Sequence, residues 1–257
     1  MYFLTTRPIW LLCLFVLALT ALAMSGPFLV RRYVTLERLT TNNEVAGFKF
    51  ATLGVLYAVL LAFAVIVVWE RFHDAEHAVA AEAGAAATLY RLSLGMGQPG
   101  EAFRRRLDEY LEVEVVREWP EMKTGHGTQG GTDALTRLYQ ATLAYQPTDF
   151  RGQTFEYAVL QELGALTQAR RDRLVLAAGA VPGVVWLVLF TGAVLTITFT
   201  FFFGTVNVRN QSVMTGALAL LIFSVLMVAV AIDRPFAGEV QISPEPLQQI
   251  YEHFKAG

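Results

Sequence analysis

Four apolar blocks, each long enough to cross a bilayer, interrupt an otherwise polar pattern at Ile9–Val30, Phe50–Trp69, Val184–Phe203 and Val213–Ile232. About 20 residues rising ~1.5 Å each match a ~30 Å hydrocarbon core. None of the blocks contains a charged side chain. The pattern therefore predicts four membrane-spanning helices, with a polar segment of roughly a hundred residues between the second and third. Ahead of the first block, Arg7, and near its end Ala21-Leu22-Ala23, give it some features of a secretory signal. The apolar run continues through Phe28, Leu29 and Val30, which suits a retained span kinked near Ser25-Gly26-Pro27.

Between the second and third blocks the period is helical. Trp69 runs into Glu70-Arg71-Phe72-His73-Asp74-Ala75-Glu76, and no Pro occurs before Leu94, so the second span is expected to continue beyond the membrane as one long helix. Gly95, Gly97, Pro99 and Gly100 end it. Phe103, Leu107, Tyr110, Leu111, Val115 and Trp119 recur at steps of three and four, predicting an amphipathic helix stopped by Pro120. A glycine-rich connector over Gly125–Gly131 follows. Leu135, Leu138, Tyr139, Thr142 and Leu143 form a second stripe closed by Pro147, and Phe155, Val159, Leu163 and Leu166 a third that leads through Arg170-Arg171-Asp172-Arg173. No strand-period alternation and no repeat of fixed length is present, so the expected class is all-α. The expected organisation is a first helix pair over 1–69, a helical domain over 70–181, a second helix pair over 182–232 and a tail over 233–257.

Composition agrees: 54% of residues are hydrophobic and 16% charged, against about 25% charged in ordinary soluble domains. Four spans place both termini and the large polar segment on one side. Near the span ends that side carries Arg7, Arg71, Arg170, Arg171, Arg173 and Arg234, with Lys255 further off, against Arg31, Arg32, Arg38 and Arg209 opposite. The excess of basic residues favours a cytoplasmic location for the domain and both termini. A net charge of −2 gives no basic face for nucleic acid. Cys13 is the sole cysteine and lies within the first span, which excludes an intramolecular disulfide and a thiolate zinc cluster.

Chemistry-bearing groups are few. Glu70, His73, Asp74 and His77 share one helix face, and imidazole with carboxylate suits a metal. A Glu-x-x-His unit in a bundle needs partners on neighbouring helices, and no second unit occurs; Glu82 and Glu109 offer only single carboxylates. A solvated face or the lining of a wet vestibule is the alternative, and no metal or cofactor is assigned. The glycines at 125–131 lack the Lys and Ser/Thr of a nucleotide loop and a preceding strand, which leaves a flexible connector. Arg104-Arg105-Arg106 reads as a solvated face or a contact to anionic lipid. No serine sits in an elbow motif, so a hydrolase is not indicated. In the second span Gly47, Ala51, Gly54, Ala58 and Ala62 place small side chains at steps of three and four, suited to close helix packing or to the wall of a lumen. Thr191, Thr196, Thr198 and Thr200 are expected to bond to helix carbonyls or to a neighbouring helix.

Asn42-Asn43-Glu44-Val45-Ala46-Gly47-Phe48, Leu53-Gly54-Val55-Leu56-Tyr57-Ala58-Val59-Leu60-Leu61 and Val68-Trp69-Glu70-Arg71-Phe72-His73-Asp74-Ala75-Glu76 together resemble the bestrophin-like domain proteins, a family of bacterial membrane proteins. Asp233-Arg234-Pro235-Phe236-Ala237-Gly238 and Ser243-Pro244-Glu245-Pro246-Leu247 extend the resemblance to the C-terminal region. True bestrophins are more distantly similar. They have four spans with cytoplasmic termini, and assemble as homopentamers around an ion pore lined by the second helix. The resemblance implies a passive, non-enzymatic ion channel in a bacterial inner membrane, surrounded by lipid and passing inorganic ions, with chloride the anion in view. It implies an apolar constriction at Ala51, Val55 and Val59, an entrance at Asn42, Asn43 and Glu44, and an inner vestibule at Glu70, Arg71, His73 and Asp74. The dense acidic run by which animal bestrophins hold calcium is replaced here by the spaced Asp233, Glu239 and Glu245, so calcium control is not expected. The competing readings are a non-conducting scaffold whose helical bundle docks a partner, and a metal-dependent enzyme resting on Glu70, His73 and His77. A lumen, an exposed apolar patch on the bundle, or ligands converging from two helices would separate the three.

Overall fold

With no proline and no glycine pair to break it, the chain from Asn43 to Leu94 forms a single helix of 52 residues. The computed structural model describes residues 8–124, 127–147 and 149–256. Arg7, counted above among the basic flanks, and Gly125 and His126 of the glycine-rich stretch lie outside the described residues. In chain order the helices are α1 (Ile9–Tyr33), α2 (Leu36–Thr40), α3 (Asn43–Leu94) and α4 (Gln98–Val113). A π-helical turn (Glu114–Glu118) and α5 (Trp119–Met122) continue from α4. Then come α6 (Gln129–Leu143), α7 (Phe150–Leu176), α8 (Gly183–Thr200), α9 (Val208–Ile232) and α10 (Glu245–Ala256). Among the described residues there is no strand, and α1, α3, α8 and α9 are each long and apolar enough to span a membrane. Residues 1–70 with 180–233 form one compact unit, and residues 71–179 with 234–257 the other.

In the first unit α1 runs through Pro27 without interruption and packs along α9, where Ser212 Oγ donates to the Met24 carbonyl at 2.6 Å. The N-terminal half of α3 meets α8: the Tyr57 ring fills the space beside Gly192, and Phe50 stacks on Phe199 with ring centroids 5.7 Å apart. Tyr57, Leu61, Trp186, Leu189, Ala193, Ala219, Ile222 and Leu226 belong to the core between these helices. The hydroxyls of Thr198 and Thr200 bond to the carbonyls of Val194 and Ile197, as expected of threonine in a span, and Thr200 also meets Thr215 Oγ1 at 3.1 Å. Asp233 closes α9 and accepts from the backbone N–H groups of Ala180 and Val181, both at 3.1 Å.

The second unit is a bundle in which each helix buries a stripe at steps of three and four. On α3 this stripe includes Ala75, Val79, Ala86 and Leu89; on α4 Phe103, Leu107, Tyr110 and Leu111; on α7 Val159, Leu163 and Leu166. Gly97, at φ +67°, makes the reversal from α3 into α4. Two boundaries differ from those predicted. Pro120 does not stop its helix: the π turn shifts the hydrogen-bond register, α5 runs on from Trp119 with Pro120 in its first turn, and the helix ends at Met122. Nor is the glycine-rich stretch wholly a flexible connector. Thr128 caps α6 by accepting from Gly131 N–H at 3.1 Å, and Gly130 and Gly131 already belong to that helix. Asp149 caps α7 in the same way through Gly152 N–H at 2.8 Å.

Candidate functional site

Helix α3 presents two unlike faces within the first unit. Tyr57, Leu61, Ala64 and Val68, at steps of four, three and four, turn inward and are buried. Ala51, Val55 and Val59 turn the other way and are covered by nothing among the described residues; Val55 is 64% exposed and Val59 51%. Nothing lies within 4 Å of the position a Cβ would take at Gly54, and Ala51, Ala58 and Ala62 are exposed, whereas at Gly47 the Phe203 ring comes to 4.0 Å. At the start of α3, Asn42 and Glu44 are exposed. Asn43 is engaged: its side-chain amide donates to the Gly204 carbonyl at 2.7 Å, and its oxygen accepts from the Gly204 N–H at 2.9 Å.

Further along α3, Glu70, His73 and Asp74 are exposed. Arg71 is half-buried and donates through Nη2 to the Val175 carbonyl at 2.9 Å, one of the last carbonyls of α7, which have no partner within their own helix. His73 and His77 face each other with Nε2 atoms 3.0 Å apart, and His73 Nδ1 lies 3.3 Å from a Glu76 carboxylate oxygen. Glu70 and Glu109 do not join them, and among the described residues no group of three or more His, Cys, Asp or Glu is disposed to hold a metal ion. Ligands converging from two helices, which the enzymatic reading needs, are absent among the described residues. A groove of about 620 Å³ runs beside the pair, lined by Asp74, His77, Ala78 and Ala81 of α3 and by Gln168, Ala169 and Asp172 among others on α7.

The second unit also holds a buried charge cluster that sequence reasoning did not assemble. Arg173 donates through Nε to Glu82 Oε2 at 2.6 Å and through Nη2 to Glu82 Oε1 at 3.1 Å, and also to Glu114. Arg170 donates to Glu114 Oε1 at 2.9 Å and to Glu118 Oε2 at 2.7 Å, and the Tyr110 hydroxyl donates to Glu82 Oε1 at 2.5 Å. All six side chains are buried. The Arg173 guanidinium also lies 5.3 Å from the centre of the Trp119 ring, which meets Phe236 edge to face. Gly131 is required here, because a Cβ would run into Glu118 and Arg170. A signal for the cluster was present. Glu82 falls on the apolar register of α3 between Val79 and Ala86, and Arg170 and Arg173 continue the α7 register 159, 163, 166 by steps of four and three. Ionic residues on a buried stripe imply partners on the facing helix.

Three carboxylates against two guanidiniums leave one negative charge in excess, which a buried site resolves by keeping a proton. Burial, opposed by Arg173 and helped by the neighbouring Glu82 and Glu118, pushes Glu114 up to about 8. Glu118 is pushed upward by burial, but its hydrogen bond and charge contact with Arg170 outweigh this and hold it below the usual carboxylate range. The charge count and the raised value together assign the retained proton to Glu114. The same burial, with Glu114 and Glu82 nearby, raises the Tyr110 hydroxyl well above its ordinary value, so it remains a donor. Sealed from solvent, the cluster ties α3, the π turn and α7 together and offers no path to a substrate.

The fold and the sequence lead to the same relatives. The structure superposes on a substituted form of a bacterial bestrophin homologue from Klebsiella pneumoniae with a TM-score of 0.72 at 14% identity, covering 95% of this chain and 97% of that one. A second substituted form of that homologue gives a TM-score of 0.72 at 16% identity, over 94% and 98%. A structure described as a membrane protein gives 0.72 at 16%, over 95% and 97%. No curated protein sequence matches the chain. The profile of the bestrophin-like domain family matches residues 17–247, and the chain belongs to that family.

Proposed function

We propose that the protein is a passive ion channel, a homopentamer whose central pore is lined by α3 and conducts anions such as chloride. The observation that carries this reading is the uncovered apolar face of α3, opposite a face that packs fully against the chain's own helices. Five copies of that face around an axis would place Ala51, Val55 and Val59 in rings narrow and apolar enough to gate by dewetting. Asn42 and Glu44 would stand at the entrance, with Asn43 behind them holding the helix start to Gly204. Glu70, His73 and Asp74 would line the inner vestibule, and Arg71 would anchor its wall through Val175. In this arrangement the helix pairs over 1–69 and 182–232 sit in a bacterial inner membrane, and the domain over 70–181, the tail over 233–257 and both termini are cytoplasmic.

Purified protein recorded in planar bilayers under a salt gradient tests the reading, with Val55→Asp as the paired variant. Discrete currents are expected, with conductance or reversal potential shifted by the aspartate ring. Correctly assembled oligomers that stay electrically silent across pH and calcium would overturn conduction and favour a scaffold.

A further inference from the structure

We propose that His73 and His77 form a chelating site for one transition-metal dication of the zinc, nickel or copper class. They are one turn apart on α3, and their Nε2 atoms stand 3.0 Å from each other. Two nitrogens at ~2.0–2.1 Å from a shared metal are separated by about 2.9 Å at a right angle and about 3.4 Å at the tetrahedral angle. The observed separation falls inside that range with the rings already crossed at 72°. With the Glu76 carboxylate 3.3 Å from His73 Nδ1, a proton held at Nδ1 leaves the His73 Nε2 lone pair toward His77, whose Nε2–H then donates across the 3.0 Å gap and is the proton a metal would displace. A carboxylate behind a ligating imidazole is the usual outer-shell support of a metal site. Both rings are reachable, the His73 side chain being 61% exposed. His77 also lines the groove that Asp74, Gln168 and Asp172 share, which leaves room for water on the remaining coordination positions. With two protein ligands the ion would be exchangeable, and the imidazole pair selects against magnesium and calcium, which prefer oxygen.

The site rests on this geometry and not on conduction, and its test requires no current. Untagged full-length protein in detergent is titrated with Zn2+ by calorimetry and with Cu2+ under electron paramagnetic resonance. One ion per chain is expected, with the Cu2+ spectrum showing coupling to two imidazole nitrogens. His73→Ala and His77→Ala should each weaken binding about tenfold or more, and Glu76→Gln should weaken it within the ~10–100-fold range of outer-shell changes. His253→Ala, on an exposed residue of α10, and a large excess of Mg2+ should leave the titration unchanged. Absence of saturable binding in the unsubstituted protein, or affinity in the two single-histidine variants equal to that of the unsubstituted protein, would overturn the site.

Discussion

Arg173 and Glu114 show how much a single buried side chain can be asked to hold. Removing the guanidinium in Arg173→Met leaves Glu82 and Glu114 without their main cation, and a buried pair broken on one side costs about 3–5 kcal/mol. Glu114→Gln should cost much less, below about 1 kcal/mol, because the amide imitates the protonated acid already there; Glu118→Gln removes a carboxylate held ionised and should cost about 1.5–3 kcal/mol. The pH dependence has a definite sign. Between the ordinary carboxylate value and about 8 the folded domain keeps on Glu114 a proton that the unfolded chain releases, so this contribution is complete at acid pH and is lost as pH rises through that window. Unfolding followed by Trp119 fluorescence, the one tryptophan of residues 71–179 and 234–257, should show stability falling toward pH 8, with the slope flattened in Glu114→Gln. An unchanged slope would move the proton elsewhere. Little of this is legible in the sequence: Arg170 and Arg173 count there as basic flanks of a span, because a local charge tally does not test whether the residue lies on a buried register.

At the scale of elements, what was legible followed from local chemistry, and what was missed depended on partners distant in sequence. The long α3 could be read because nothing between Glu70 and Leu94 breaks a helix, and the stripes of α4, α6 and α7 because apolar residues recur with the helical period. The π turn could not be read, since it satisfies Glu114 and Glu118 on α7 and no propensity encodes a partner some fifty residues away. The start of α3 is similar. Asn42, Asn43 and Glu44 look alike as a polar entrance, yet Asn43 closes two hydrogen bonds with Gly204 across 161 positions. Asn43→Leu should therefore strand a backbone N–H and a carbonyl, each costing about 1–3 kcal/mol where water is excluded, and should lower the thermal midpoint in detergent. Asn42→Leu, at an exposed site, should leave the midpoint unchanged. Equal effects of the two would show that the Gly204 contact carries no stability.

For the whole molecule, exposure in one chain does not by itself distinguish lipid from lumen, since hydrocarbon is as acceptable to Val55 as a narrow dry pore. Water access does distinguish them. Because Cys13 is the only cysteine, Cys13→Ser gives a background in which single cysteines can be placed at will. Val55→Cys, on the uncovered face of α3, should react with a charged, membrane-impermeant methanethiosulfonate and thereby alter current, because a pore that passes ions also passes the reagent. Leu187→Cys, 65% exposed on α8, should face lipid and stay unmodified, as should Leu61→Cys, buried between α3 and α8. Around a fivefold axis the Val55→Cys thiols would also lie close enough for oxidation to join neighbouring chains, a product that Leu187→Cys should not give. Reaction at Leu187→Cys with none at Val55→Cys would place the water path on another helix; no reaction at either, with assembly intact, would leave α3 a lipid-facing helix and remove the pore assignment.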